Sequence, residues 1–133
     1  MHGSAIALDT TRAIDVLNDT EGAGTWVQAF NPVYLPVPVV GELLFGALNS
    51  TRPKENFERV SVLIEACEVL IITERTAQVY AHLRFSLKRK GRPIPENDLW
   101  IAAICLEHNV ALATSDRHFL EVEGLSVILF ESG

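Results

Sequence analysis

The runs AIAL (5–8) and VALA (110–113) constrain this chain most, because each is apolar at every position. A strand with one face in water alternates apolar and polar residues. A run that does not alternate has both faces covered, as in a parallel sheet flanked by helices. The rest of the chain supplies the flanking elements. Strand-like segments AIALD (5–9), YLPV (34–37), EVLII (68–72), VALAT (110–114) and LSVILF (125–130) alternate with helix-period segments over 10–18, 38–49, 52–67, 73–91 and 96–109. A short helix is expected over 116–122. Pro38 stands at a helix start, where a missing N–H does no harm, and Gly91 at a helix end. Alternation of this kind predicts a three-layer α/β/α domain around a central parallel sheet of about five strands, with right-handed crossovers. The length of 133 residues suits a single domain, 1–133, with a core large enough to need neither disulfide nor structural metal.

Charge narrows the function classes. The formal net charge is −6, which argues against a protein that coats nucleic acid electrostatically. Yet five of the eleven basic residues fall together: Arg84, Lys88, Arg89, Lys90 and Arg92. They read either as a solvated helix end whose cations complement the helix dipole, or as a phosphate-binding lip on an acidic protein. Cys67 and Cys105 lie in apolar helical surroundings without metal-type spacing, so two free thiols and a reducing, cytoplasmic setting are expected. No apolar run reaches transmembrane length, and no signal segment is expected before the first strand.

The acids carry the chemistry. In open α/β sheets, ligands bind beyond the carboxyl ends of the strands. Asp9 ends the first strand, and Asp116 follows VALAT by two residues. Asp98 opens the helix before that strand, and Glu42 lies one turn into the helix after YLPV. Four carboxylates therefore can converge on one edge, whereas Asp15 and Asp19 are assigned to solvent. Each acid also has a local reading: Asp9 and Asp116 as helix N-caps, Asp98 as a favourable charge in a first turn. Glu42 interrupts VPVVGELLFGAL and is expected to be buried and to need a partner. No Lys or Arg lies between Arg12 and Arg52 to provide one nearby. Clustered carboxylates repel, and a divalent cation resolves the conflict. Oxygen donors select Mg²⁺ or Mn²⁺, and such an ion suits phosphodiester hydrolysis. The hydroxyls of Thr10, Thr114 and Ser115 are placed to orient water at such an ion.

With ALDTT at the first strand, a Glu after the second, GRPIPENDLWIAA and ATSDRHF, the chain resembles the PIN-domain nucleases, and among them the VapC-type toxins of prokaryotic toxin–antitoxin pairs. The resemblance runs from Leu8 to the last strand. It places the family's acidic quartet on Asp9, Glu42, Asp98 and Asp116, as catalytic and metal-holding residues, and its hydroxyl partner on Thr114. Thr11 departs from the Asn or Ser that many members carry. The resemblance implies an Mg²⁺- or Mn²⁺-dependent endoribonuclease, a homodimer, and inhibition by a cognate antitoxin whose C-terminal segment lies along the active-site groove. Possible RNA contacts are Arg12, Arg84, Lys88, Arg89 and Lys90; Arg12 pairs with a site carboxylate or contacts phosphate.

Other functions stay in view. A non-catalytic PIN-like module would bind RNA or a partner without cutting. An aspartyl phosphatase wants an acid two residues after the first, where this chain has Thr11, and a receiver-like domain wants an acidic pair near the first strand. The four histidines show no zinc-type spacing. His82 and His108 read as ordinary helical residues, while His118, two residues from Asp116, is near enough to approach the metal edge. Trp26 and Trp100 read as packing or dimer-interface residues.

Overall fold

A computed structural model describes residues 4–130. Five strands, β1 (Ile6–Leu8), β2 (Val33–Pro36), β3 (Glu68–Leu70), β4 (Leu112–Thr114) and β5 (Val127–Leu129), form one sheet. All pairings are parallel, in the order β3-β2-β1-β4-β5. From β1 the chain builds outward on one side through β2 and β3, then returns to β1's other side with β4 and β5. The order therefore reverses between β1 and β4, the point in an open α/β sheet where a crevice forms at the carboxyl ends.

The two continuous apolar runs are the two strands at that point. Every residue of β1 and β4 is buried. Six helices cover the sheet: α1 (Thr10–Asn18), α2 (Ala23–Val27), α3 (Val37–Leu48), α4 (Pro53–Ala66), α5 (Glu74–Arg89) and α6 (Glu96–His108). The most buried is α6, with Leu99 and the unbroken run Ile101–Cys105 inside, so its polar residues are confined to its two ends. Helix α5 lies antiparallel to it. Near one end of the pair, Thr76 reaches Glu107; toward the other, Arg84 reaches Glu96, and Tyr80 stacks on Trp100 at 3.9 Å.

The structure departs from the sequence expectations in three places. Helix α2 and the 3₁₀ turn before it (Thr20–Gly22) lie between the segments 10–18 and 34–37, where no element was expected. That stretch holds no long apolar period, and its turn is built from left-handed backbone at Asp19, Glu21 and Gly22. Four strands are shorter than their apolar runs, β2 keeps its length but starts one residue earlier, and the 116–122 segment holds a 3₁₀ helix rather than an α-helix. Cys67 and Cys105 are both free, and burial pushes their thiols up to about 11 and about 12. Among the described residues, no helix is long and apolar enough to cross a membrane.

Candidate active site

Asp9 leaves the end of β1 and caps α1. One carboxylate oxygen accepts the Arg12 backbone N–H at 2.8 Å, and the other accepts the hydroxyl of Thr114 at the end of β4. The cap and site readings of Asp9 thus coexist: capping fixes the carboxylate at the crevice. Thr114 is fully buried, and its oxygen also accepts the Asp116 backbone N–H at 2.9 Å. One hydroxyl therefore ties Asp9 to the segment carrying Asp116. Asp116 in turn caps the 3₁₀ turn by accepting the His118 N–H at 2.9 Å.

Asp98 enters from the first turn of α6, and its surroundings show the convergence. Its carboxyl is pushed up to about 6, first by burial, next by the Asp116 carboxylate; Asp9 and Glu42 add in the same direction, while His118 opposes. The Asp9 carboxyl is also raised, mainly by burial, with Asp116 adding and the bonds from Thr114 and Arg12 opposing. Asp9, Glu42 and Asp116 thus all act electrostatically on Asp98, and of the four acids named from sequence Asp98 and Asp116 come close enough to share a ligand position.

Glu42 corrects one expectation. It is exposed, not buried, and accepts a hydrogen bond from the Thr10 hydroxyl. Apolar neighbours in sequence did not bury it, because α3 leaves part of its own apolar surface outside: Phe45 is 67% and Leu48 62% exposed. Of the three hydroxyls, Thr10 and Thr114 hold site carboxylates, whereas Ser115 makes no side-chain hydrogen bond among the described residues.

Arg12 is the second correction. Its guanidinium sits in the corner where the Trp26 and Phe130 rings meet edge to face, 4.4 Å and 3.5 Å from the two ring centres, and it pairs with Asp15 at 3.4 Å. Neither role considered for it, a site carboxylate or a free phosphate contact, matches that position. Asp15 is therefore engaged rather than simply solvated, and Trp26 packs on Phe30 and Phe130. The basic cluster is partly occupied too. Arg84 is held by Tyr80 and Glu96, Lys90 donates to the Glu121 carbonyl at 2.9 Å, and Arg92 pairs with Glu121 at 3.6 Å. The Lys88 and Arg89 side chains are exposed and make no hydrogen bond or ion pair among the described residues. Arg89 lies over Phe85 at 5.7 Å.

His118 does approach the acidic edge. Its Nδ1 lies 2.9 and 3.1 Å from the two carboxylate oxygens of Asp116, and 3.9 Å from Asp98. The available signal was the Asp-x-His spacing after a strand, which lets the aspartate cap fold the imidazole back over its own carboxylate.

The donor set fits a hard divalent cation. Among the described residues, no Lys or Arg lies within ion-pair distance of Asp9, Glu42, Asp98 or Asp116. The like charges that raise Asp98 thus have no protein cation beyond the His118 ring to offset them. Asp98, Asp116 and His118 offer ligand atoms all within 4.8 Å of one another.

A parallel α/β sheet with acids gathered at its switch point defines a class, and sequence comparison gives the family. Residues 6–125 match the PIN domain, and the chain belongs to that family. It is similar to ribonuclease VapC4 of Mycobacterium tuberculosis, at 32% identity over 94 residues, covering 69% of this chain and 72% of that one. Among solved structures, VapBC2 from Rickettsia felis, bound to a promoter DNA fragment, aligns over 96% of this chain and 99% of its own. The TM-score is 0.87 at 20% identity, which speaks for the fold. VapBC-1 from nontypeable Haemophilus influenzae aligns over 94% and 97%, with a TM-score of 0.80 at 26% identity.

Proposed function

We propose that this chain is the toxin ribonuclease of a toxin–antitoxin pair, hydrolysing RNA phosphodiester bonds at the edge built by Asp9, Glu42, Asp98 and Asp116 with Mg²⁺ or Mn²⁺ held there. The observation that carries the reading is the approach of Asp98, Asp116 and His118, whose ligand atoms lie within 4.8 Å of one another, with no lysine or arginine at ion-pair distance among the described residues. Relatives named as VapC ribonucleases support the reaction class, and structures of VapBC complexes support an antitoxin partner.

A divalent ion at this edge supplies Lewis acidity, neutralising phosphate charge and acidifying water. The chain's own residues do the rest. Asp9, Asp98, Asp116 and Glu42 bind the ion; Thr114 aims Asp9 while fixing the Asp116 backbone; Thr10 aims Glu42. Of the 84–92 basic cluster, Lys88 and Arg89 are the side chains left to draw the RNA backbone inward. A cavity of about 330 Å³ runs from Glu42 between α1, α3 and α4, lined by Ile14, Leu17, Leu43 and Val60. It is the surface we assign to an antitoxin segment. Exposed Phe45 and Leu48 offer an apolar face for a second copy. The whole, 1–133, acts as one domain, in the cytoplasm, where its free thiols are stable.

The test is cleavage of labelled single-stranded RNA with Mg²⁺, Mn²⁺ or EDTA, beside Asp98→Asn. Cleavage that requires metal and disappears in the variant supports the proposal. RNA binding without cleavage under any of these conditions supports a non-catalytic PIN-like binding module instead.

A further inference from the structure

His118 is the titratable side chain at the acidic edge to which the reading above gives no task. Its position is built rather than incidental. The Asp116 carboxylate accepts the His118 N–H and so holds the residue beside that carboxylate, the Asp116 N–H is pinned on buried Thr114, and the next residue, Phe119, is anchored in the core. The ring nitrogen Nδ1 then stands 2.9 Å from one Asp116 oxygen and 3.9 Å from an Asp98 oxygen.

These separations suit donors that share one ion. With metal–donor bonds of about 2.1 Å and octahedral angles, adjacent donors lie about 3.0 Å apart and opposite donors about 4.2 Å. The 2.9 Å and 3.9 Å separations lie close to those two values. A protonated ring paired with both carboxylates would hold the same two separations, and nitrogen coupling to a bound ion separates that arrangement from a ligand.

We propose that His118 is a direct nitrogen ligand of the cation at this site, joining Asp98 and Asp116, and that it tilts the site toward Mn²⁺ over Mg²⁺. The inference rests on the metal-site reading above and deepens it. Mg²⁺ takes oxygen donors and gains little from imidazole, whereas Mn²⁺ accepts mixed nitrogen and oxygen sets. An imidazole ligand therefore raises affinity for one ion and not the other. A ring that only steadied Asp116 would raise both together.

The experiment is pulsed electron paramagnetic resonance of Mn²⁺ bound to the full chain, with Mn²⁺ and Mg²⁺ affinities measured by competition. Wild type, His118→Ala, His118→Asn and Asp98→Asn are compared. Wild type is expected to show ¹⁴N coupling to Mn²⁺ that is absent in His118→Ala. That variant's Mn²⁺ affinity is expected to fall about 10-fold while its Mg²⁺ affinity holds. His118→Asn, which keeps a donor but offers no imidazole, is expected to behave like His118→Ala. Mn²⁺ bound without nitrogen coupling, coupling that persists in His118→Ala, or equal losses for both ions would overturn the inference and leave the carboxylate site standing. Wild type that binds Mn²⁺ no better than Asp98→Asn would instead overturn the metal site itself.

Discussion

The two ends of α6 each hold a carboxylate withdrawn from water, and their surroundings are opposite. At the C-terminal end the Glu107 side chain is only 9% exposed, but the buried Thr76 hydroxyl donates to it at 2.5 Å and the His108 ring lies 3.7 Å away. At the N-terminal end the Asp98 side chain is more open, at 22%, yet it receives no hydrogen bond among the described residues and faces Asp116, Asp9 and Glu42. The more buried acid is the satisfied one. Burial of a charge therefore does not by itself mark a working site; the sign of its neighbours does. Glu107 ties α5 to α6, whereas Asp98 stands among like charges that a cation would bring to rest.

The largest expected effect lies at the unsatisfied end. Asp98→Asn is expected to lower RNA cleavage at least about 100-fold while leaving the fold intact, and Glu107→Gln to leave cleavage unchanged. Equal losses in the two variants, measured by initial rates on one RNA, would erase the contrast.

Thr114→Val comes next. It removes the donor to Asp9 and the acceptor of the Asp116 N–H in one step, and should cost about 10–100-fold in metal affinity and cleavage. Calorimetric titration with Mn²⁺ checks the binding half.

The mirror change at the other end is Thr76→Val. It is expected to cost about 1–3 kcal/mol of stability by stripping Glu107 of its donor, with cleavage unaffected at temperatures where the variant is folded. Urea unfolding measures the first and RNA cleavage the second.

The smallest effect concerns the basic cluster. Lys88→Ala with Arg89→Ala should leave the metal site untouched and flatten the salt dependence of RNA binding by about 0.7 in slope per residue. An unchanged slope would remove these two side chains from the RNA path.

Much of this was legible in the sequence, for physical reasons that also explain the misses. The unalternating runs at β1 and β4 read as strands covered on both faces, and that reading placed Asp9 and Asp116 at one edge. Their second identity as caps was legible as well, although cap and site had looked like rivals. In the structure the cap is what holds each carboxylate in place. Glu42 was misread because sequence neighbours report what a helix is made of, not which of its faces is covered; α3 keeps Phe45 and Leu48 outside. Arg12 was beyond reach for a different reason. The rings that hold it, Trp26 and Phe130, come from separate parts of the chain, and no local pattern announces such a contact. Helix α2 lacked any period long enough to declare itself.

The most direct test of the central claim, that Asp98 stands among like charges relieved by a cation, is thermal unfolding of wild type and Asp98→Asn across pH, in EDTA and in Mn²⁺. An ordinary aspartate has a value near 3.8, and folding raises Asp98 to about 6. Between those values the folded state keeps a proton that the unfolded state has released, so without metal this group makes stability fall as pH rises through that window. Asp9, raised as well, moves stability the same way. Asp98→Asn lacks the first penalty and is expected to be the more stable protein in EDTA above pH 6. Mn²⁺ should reverse the order, because wild type gains about 2.7 kcal/mol at one hundred times its dissociation constant and the variant gains little. Wild type at least as stable as the variant in EDTA at every pH, or equal stabilisation of both by Mn²⁺, would contradict the claim.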